Sequence, residues 1–228
     1  MSEILSTQDL EALRRIPTPT ISNAIEKFNL RGRDAGFTAN IRCMFPELGA
    51  VVGYAGTATV RSATPPQGDT LPLRRRYWDY LQNSPKPTLV LMRDLDDPPL
   101  GAFWGEVNAN IHRALGCVGA IVQGTVRDLD EVRALGFHFF ASSVSVSHAY
   151  AHLDDFGKTV QVGGLTIHSG DLIHADEHGA IVIPHQVARE VAAAAAEVEK
   201  YEHPIISLCK SPEFSIDKLE QLFKREVI

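Results

Sequence analysis

Residues 119–128 of this 228-residue chain read GAIVQGTVRD. The apolar run over residues 119–123 predicts a buried strand, and Gly124 predicts a turn that ends it. The guanidinium of Arg127 and the carboxylate of Asp128 then follow side by side. A carboxylate can hold a hard divalent cation, and forked guanidinium donors can bind a carboxylate or stabilise a developing enolate oxygen. A simpler interpretation is that Asp128 caps the next helix and Arg127 is a solvated charge.

The segments around this stretch alternate between helix and strand patterns. Apolar spacing predicts helices at residues 103–115 and 129–135, and compact apolar runs predict strands at 88–92 and 138–142. This alternation predicts parallel strands joined by crossover helices. Outside this region, capping and breaker residues predict further helices at about 7–15, 20–28, 68–82, 185–200 and 215–225, and strands at 55–62, 172–175 and 180–183, with a hairpin at 159–168 around Gly163-Gly164.

Composition excludes several classes of protein. Hydrophobic residues make up 44% of the chain and the net charge is −6, which predicts a sizeable core and no nucleic-acid-binding face. Cys43, Cys117 and Cys209 are far apart and form no Cys-x-x-Cys, so neither a disulfide scaffold nor a cysteine zinc site is expected. The N-terminus lacks a signal-peptide pattern, and no run approaches the ~18 apolar residues of a membrane span, so we expect a cytoplasmic protein.

Glu106 lies 21 positions before Arg127, directly after Gly105. At the start of a helix, the amides of Val107 and Asn108 are free to bind an anion such as the carboxylate of an oxo acid. The loops after neighbouring parallel strands converge on one crevice, so Glu106 and the pair Arg127-Asp128 are expected to meet there. Alternatively, Glu106 only complements the helix dipole.

Several short motifs occur together in a recognisable order. They are Gly105-Glu106, the gap of 20 residues between Glu106 and Arg127, GTVRD at 124–128, Gly136-Phe137, Gly163-Gly164, SGD at 169–171 and ADEHGAIVIP at 175–184. From about residue 7 to 200, the chain resembles the 4-hydroxy-4-methyl-2-oxoglutarate aldolase family, which is also similar to the regulator of ribonuclease activity A (RraA). The resemblance implies an α/β fold with a compact β/β/α core of RraA-like type, flanked by N- and C-terminal helices. It implies one domain over residues 1–228, with residues 201–228 as a helical extension, assembled into homotrimers or homohexamers with interfacial active sites.

The resemblance also implies a class II aldolase that uses Mg²⁺ or Mn²⁺. Such an enzyme cleaves a 4-hydroxy-2-oxo acid to pyruvate and a carbonyl product, with oxaloacetate decarboxylation as a side activity. Asp128 would be the direct metal ligand, and Arg127 would bind the oxo acid and stabilise the enolate. Glu106 stands where the family usually has an acidic residue, often Asp. Gly105 and the amides of Val107 and Asn108 would bind substrate, and Glu199 or Glu202 of a neighbouring subunit would complete the site.

Four histidines leave several interpretations open. His148 and His152 are four residues apart, as are His174 and His178. Such pairs on a helix can share a zinc ion, but structural, interface or substrate-binding roles are also open. Related aldolases tend to have Arg-Gly where this chain has Ser147-His148, which makes His148 a candidate substrate contact and suggests a different acceptor half. A non-catalytic RraA-like regulator that binds a ribonuclease or another protein is the alternative function.

Overall fold

The computed structural model describes residues 4–224 of the chain. The α-helices in that range are Thr7–Arg14 (α1), Thr18–Glu26 (α2), Leu71–Asn83 (α3), Glu106–Ala114 (α4), Leu129–Leu135 (α5), Val191–Lys210 (α6) and Ile216–Lys224 (α7). The strands are Arg42–Cys43 (β1), Val51–Arg61 (β2), Thr88–Asp94 (β3), Cys117–Val126 (β4), His138–Val144 (β5), His152–Phe156 (β6), Val160–Val162 (β7), Leu165–Ile167 (β8), Leu172–Asp176 (β9) and Gly179–Ile183 (β10).

One mixed sheet organises the molecule. Its strand order is β1-β5-β4-β3-β2-β9-β10, with β6 paired to the end of β2, and it curls into a nearly closed barrel. Strands β2 to β5 are parallel to one another, which confirms the predicted crossover arrangement, whereas β1, β6 and β9 pair antiparallel to this group. The predicted hairpin is also confirmed, since β7 and β8 pair antiparallel across Gly163-Gly164. The α/β fold with flanking helices is therefore confirmed.

Successive residues of the central strands face two different cores. In β3, Val90 and Met92 pack with the helix-covered core, whereas Leu89 and Leu91 pack with the core that holds the β7–β8 hairpin. This alternation follows from the two-residue period of a strand. Both faces of β3 are thus buried, which explains why its sequence is continuously apolar.

Strand β4 runs further than predicted. Gly124 does not end it, and the strand continues to Val126 with a register shift between Val122 and Thr125. A substituent on Gly124 would lie 3.2 Å from the Cβ of Asp94 in β3, so the absence of a side chain lets the two strands stay close here. The irregularity carries the chain on towards Arg127 at the carboxyl edge of the sheet.

The terminal helices cover the other end of the sheet. Helices α1, α2 and α6 pack with strands β9 and β10 in a separate apolar cluster. The predicted helix at 185–200 is displaced, because residues 185–187 form a 3-10 turn and α6 continues past residue 200 with Pro204 inside it. The predicted helix at 215–225 corresponds to α7, while residue 225 lies outside the described residues. Within residues 4–224, no helix is long and apolar enough to cross a membrane.

Strand β6 was not predicted. Its sequence, HLDDF, contains two acidic residues that obscure an alternating pattern. Asp154 accepts hydrogen bonds from the Thr59 hydroxyl and the Arg61 Nε of β2, at 3.1 and 3.0 Å. Cross-strand polar contacts therefore hold an edge strand whose apolar content is low.

Candidate active site

The loop before α4 lies along the carboxyl end of β4. The amide of Arg127 donates to the Trp104 carbonyl at 3.0 Å, and Trp104 and Val126 form an isolated parallel bridge. The Trp104 side chain is fully buried, and its ring lies 4.3 Å from that of His112 in α4. Trp104 pairs with β4, Gly105 is extended, and α4 begins at Glu106, three residues later than predicted.

Asp128 directs its side chain away from its own helix. It occupies the N-cap position of α5 but makes no side-chain capping bond there. Its backbone is left-handed, with φ 56° and ψ 48°, a conformation that Asp and Asn tolerate better than most residues. Its Oδ2 instead accepts a hydrogen bond from the Glu106 amide at 2.9 Å. This bond brings the start of α4 and the end of β4 together, as the sequence predicted for Glu106 and Asp128.

Gly105 makes this approach possible. A Cβ at this position would lie 2.4 Å from Asp128 Oδ2 and 3.2 Å from Arg127 Cγ. Any larger residue would displace the carboxylate, because no side chain fits between the loop and Asp128. The predicted role of Gly105 in binding substrate is untested, but its position beside Asp128 is clear.

Replacing Gly105 with alanine is expected to lower turnover about 10²-fold, since misplacing a reacting group by roughly 1 Å has such effects. The fold should survive, because the displaced atom is the end of a side chain. Gly119→Ala is the matched contrast: its Cβ would meet the His138 backbone oxygen at 2.8 Å, so that variant should lose stability. Thermal unfolding and pyruvate release separate the two effects. Full activity in Gly105→Ala would show that the Asp128 position is unimportant.

Arg127 has donors available beside the carboxylate. Its Nε lies 3.7 Å from Asp128 Oδ2, and the two side chains are 35% and 33% exposed. A contact of this length is a weak ion pair and leaves most of the guanidinium fork free. Within residues 4–224, no other partner of the Arg127 side chain is seen, so these donors face a ligand site or solvent.

The amides of Val107 and Asn108 lie in the first turn of α4. The geometry of a helix gives such amides no intrahelical acceptor, and no partner for them is seen among the described residues. The Asn108 side chain is occupied, because its Nδ2 donates to the Phe103 carbonyl at 2.5 Å. Only the backbone of Asn108 is therefore available to an anion, as for Val107.

His148 and His152 do not share a helix, so the helical zinc pair, one of the interpretations left open for them, does not apply. His148 lies in the loop before β6, with Nδ1 2.7 Å from the Ala149 carbonyl, and His152 begins β6. The His148 loop does approach the site, because the Ala102 amide donates to the Ser147 carbonyl at 2.9 Å. The substrate-binding role of exposed His148 stays a prediction.

In the second pair, His174 and His178, the first histidine has a structural role. His174 is fully buried in β9, with Nδ1 2.9 Å from the Thr18 hydroxyl and Nε2 3.1 Å from the Leu13 carbonyl. Both ring nitrogens are thus used, which leaves none for a metal. His178 lies in the following turn, with its ring 3.0 Å from Asp176. Among residues 4–224, no group of three or more His, Cys, Asp or Glu side chains could hold a metal ion.

A polar cluster beside the site was missed by the sequence reasoning. Asp94, at the end of β3, is 6% exposed and accepts from the Ser62 hydroxyl at 2.8 Å and from the Asp96 amide at 3.0 Å. Burial raises the pKa of Asp94 above its usual range. The Ser62 hydroxyl oxygen also accepts from the Leu100 amide at 3.2 Å, so the cluster holds the loop that leads to Gly105. Arg93-Asp94 at the predicted strand end was the available signal.

Comparison with known proteins shows relatives along much of the chain. A protein of Halalkalibacterium halodurans, named "Putative 4-hydroxy-4-methyl-2-oxoglutarate aldolase", is 28% identical over 75% of this chain and 74% of its own length. A Halorhodospira halophila protein of the same name is 29% identical over 63% of this chain and 85% of its own.

Two solved structures share the fold. An uncharacterised Pseudomonas syringae protein superimposes with a TM-score of 0.75 at 23% identity, covering 99% of this chain and 97% of its own. Streptomyces coelicolor RraAS2, described as an unusual member of the RNase ES inhibitor RraA family, has a TM-score of 0.70 at 20% identity, over 88% and 96% of the two chains. The family model described as RraA-like, Aldolase/RraA, matches residues 18–182, and the chain therefore belongs to the RraA-like family.

Proposed function

We propose that the protein is a divalent-metal-dependent aldolase that cleaves a 4-hydroxy-2-oxo acid to pyruvate and a carbonyl product. The observation that carries this proposal is the bond from the Glu106 amide to Asp128 Oδ2. It joins the start of α4, where Glu106 and the first helix amides lie, to Asp128 and the neighbouring guanidinium of Arg127 at one edge of the sheet. A helix cap or a solvated ion pair would not need this convergence.

The residues present fit Mg²⁺ or Mn²⁺. Asp128 offers a partly exposed carboxylate, and its Oδ1 has no protein partner among the described residues. Hard cations accept carboxylate oxygen, and Mg²⁺ commonly keeps several waters and uses only one or two protein carboxylates. Asp128 would hold the cation, and the Glu106 side chain would order the surrounding water. When bound, the cation supplies a Lewis acid at the keto group of the substrate.

The protein groups would act on the two ends of the oxo acid. The unpartnered amides of Val107 and Asn108, at the positive end of α4, bind the substrate carboxylate. The fork of Arg127 donates to the oxygen on which negative charge develops, an interaction that strengthens towards the transition state. His148, in the loop that bonds to Ala102 through Ser147, would contact the acceptor half.

The reaction breaks one carbon–carbon bond. A water molecule in the site would accept the proton of the 4-hydroxyl, the C3–C4 electron pair would move towards C3, and the C4 carbonyl would form. The pyruvate enolate that results would be stabilised by Arg127 and would take a proton at C3 from the same water, so that no net proton is released. Oxaloacetate loses carbon dioxide through the same enolate, so decarboxylation is the side activity that this site supports.

Chelation is expected to abolish pyruvate release, and Mg²⁺ or Mn²⁺ should restore it. The measurement is a lactate-dehydrogenase-coupled assay on a panel of 4-hydroxy-2-oxo acids and oxaloacetate, before and after EDTA treatment. Because the coupling enzyme needs no divalent cation, added pyruvate serves as the control for the coupling step. Metal-independent turnover, or no pyruvate from any member of the panel, would reject the proposal.

A non-catalytic regulator is the second candidate, because the description of the family names both aldolases and RraA. Glu106 favours the enzyme, since a scaffold for protein binding has no need of a second acidic group beside Asp128. Capture of a ribonuclease from a cell extract, together with no metal-dependent turnover, would favour the regulator instead.

We further propose that copies of the chain associate as homotrimers or homohexamers through the C-terminal arm, which consists of α6 and α7. Helix α7 has no buried residue, and Ile216 and Phe223 are 77% and 51% exposed. A nine-residue helix is stable in water only when an apolar face is packed, and α7 contacts α6 of its own chain, so a second copy is the expected cover for the side chains that stay exposed. Glu199 and Glu202 line a groove of about 530 Å³ near the start of this arm, and either could reach a neighbouring site. Light scattering that gives the mass of a monomer would contradict this proposal.

A further inference from the structure

A groove of about 870 Å³ lies at the amino-terminal ends of the parallel strands. Its walls include Cys117 and His138, the first residues of β4 and β5. Strand β4 separates it from Arg127, and ten strand residues span roughly 30 Å. The groove is therefore independent of the candidate active site at the opposite edge.

The charges that line this groove are mostly positive. Arg14, Lys86 and Arg113 line it, against the single carboxylate of Glu11. Glu11 lies 3.7 Å from Arg14. The Lys86 ammonium donates to three oxygens, the carbonyls of Leu81 and Leu115 and the Thr88 hydroxyl, none of which is a carboxylate. Arg113 is exposed and has no partner in the described part of the chain.

His138 adds an unused hydrogen-bonding group. Its side chain lines the groove although the residue is only 5% exposed, and its Nδ1 has no partner among residues 4–224. A buried polar atom without a partner is costly and calls for an explanation. Burial, together with the charge of Arg14, lowers the pKa of His138 to about 4, so the ring is neutral at pH 7.

The remaining walls are apolar. They are formed by the N-terminal segment and α1, the start of β2 and the residue before β5, namely Leu5, Leu10, Val51, Val52 and Phe137. A ligand that suits both parts of the groove has an anionic head and a hydrocarbon body, since small-molecule sites combine mostly apolar walls with a few convergent polar groups.

We propose that this groove binds an amphipathic organic anion, with the head bound by Arg113 and attracted by the nearby charge of Lys86, the body along Leu10 and Val52, and His138 as a further polar contact. Charge complementarity selects the anion over a cation of the same length. Binding here would hold α1 against the sheet, because the body of the ligand would lie between Leu10 of α1 and Val52 of β2. The site needs no metal and no substrate of the candidate active site.

Titration calorimetry with octanoate, acetate and octyltrimethylammonium tests the proposal on the full chain. Octanoate should bind at least tenfold more tightly than either of the others, because acetate lacks the body and the cation has the wrong sign. Arg113→Glu should weaken octanoate binding about tenfold or more, the loss expected when a hydrogen bond to a charged group is removed. Arg113→Gln should show a smaller loss, and His138→Phe tests the imidazole contact.

Arg76→Glu is the control, because Arg76 is an exposed residue of α3 outside the groove. It changes the net charge as much as Arg113→Glu does and should leave octanoate binding unchanged. Thermal unfolding of each variant shows whether it remains folded. Equal binding of octanoate and octyltrimethylammonium, no octanoate binding, or equal effects of Arg113→Glu and Arg76→Glu would overturn the proposal. A fall in molecular mass caused by Arg113→Glu would also overturn it, because the groove would then be a contact between copies.

Discussion

Asp128→Asn is expected to reduce metal-dependent pyruvate release by about 10³-fold, the scale of losing a group that stabilises transition-state charge. Asparagine tolerates the left-handed backbone at this position, and its amide oxygen can still accept from the Glu106 amide. The substitution therefore removes the charge that would hold the cation while keeping the local hydrogen bond. Unfolding temperature should change little.

Asp130→Asn is the matched control. Asp130 lies two residues further along, in the first turn of α5, and its side chain is 90% exposed and paired with Arg133. An exposed ion pair of this kind contributes little, so activity and stability should both stay close to those of the parent protein. Isothermal titration with Mn²⁺ adds a measurement independent of turnover. Unchanged metal binding and turnover in Asp128→Asn would remove the basis of the proposed mechanism.

Acidification from pH 7.5 to pH 5 is expected to lower the free energy of unfolding steeply. His112 is fully buried between Tyr77 and Trp104, and burial lowers its pKa from 6.5 to about 4. Its Nδ1 lies 2.6 Å from the Asn108 carbonyl and must carry the proton, which leaves Nε2 to accept from the Tyr77 hydroxyl. The neutral ring is therefore the form that the fold requires.

Proton linkage explains why the free energy of unfolding falls as the pH is lowered. The unfolded chain takes up a proton near pH 6.5, whereas the folded chain resists it until about pH 4, so stability is present above pH 6.5 and is lost as the pH falls. His112 and His138, whose pKa values are both lowered to about 4, each cost roughly 2 kcal/mol at pH 5. Burial also lowers the pKa of His174, which acts in the same direction.

Denaturant unfolding at several pH values checks this expectation. His112→Gln should be less stable at pH 7.5, since it loses packing against Trp104, but its stability should fall less between pH 7.5 and pH 5. His203→Gln, at an exposed position of α6, should keep the slope of the parent protein. If the free energy of unfolding falls equally with pH in His112→Gln and in the parent protein, the buried neutral imidazole does not control acid stability.

The alternation of helices and strands was predictable because it depends on local chemistry. Continuous apolar runs predicted the buried strands β3 and β4, and Gly163-Gly164 predicted the β7–β8 hairpin. Strand β6 was not predictable in the same way, because its pairing with β2 depends on contacts between Asp154 and side chains more than 90 residues away. Local patterns carry no information on such partners.

The candidate site, too, was predictable only in part. Spacing and motif order placed Glu106, Arg127 and Asp128 at one edge of the sheet, and the Glu106–Asp128 bond agrees with that placement for two of them. The roles of these residues, of His148 and of the metal stay predictions. The helix boundary was wrong by three residues, because pairing of the Trp104 segment with β4 competes with local helix propensity.

Residue order alone predicted the parallel strands joined by helices and the proximity of Gly105-Glu106 to Arg127-Asp128, since periodicity and motif spacing can be read from the local sequence. Only the folded chain showed that the Asp128 side chain turns towards α4 instead of capping α5. It also showed that both ring nitrogens of His174 contact Thr18 and Leu13. Both outcomes depend on which distant group lies within hydrogen-bonding distance, and that is decided when the helices and the sheet pack against one another.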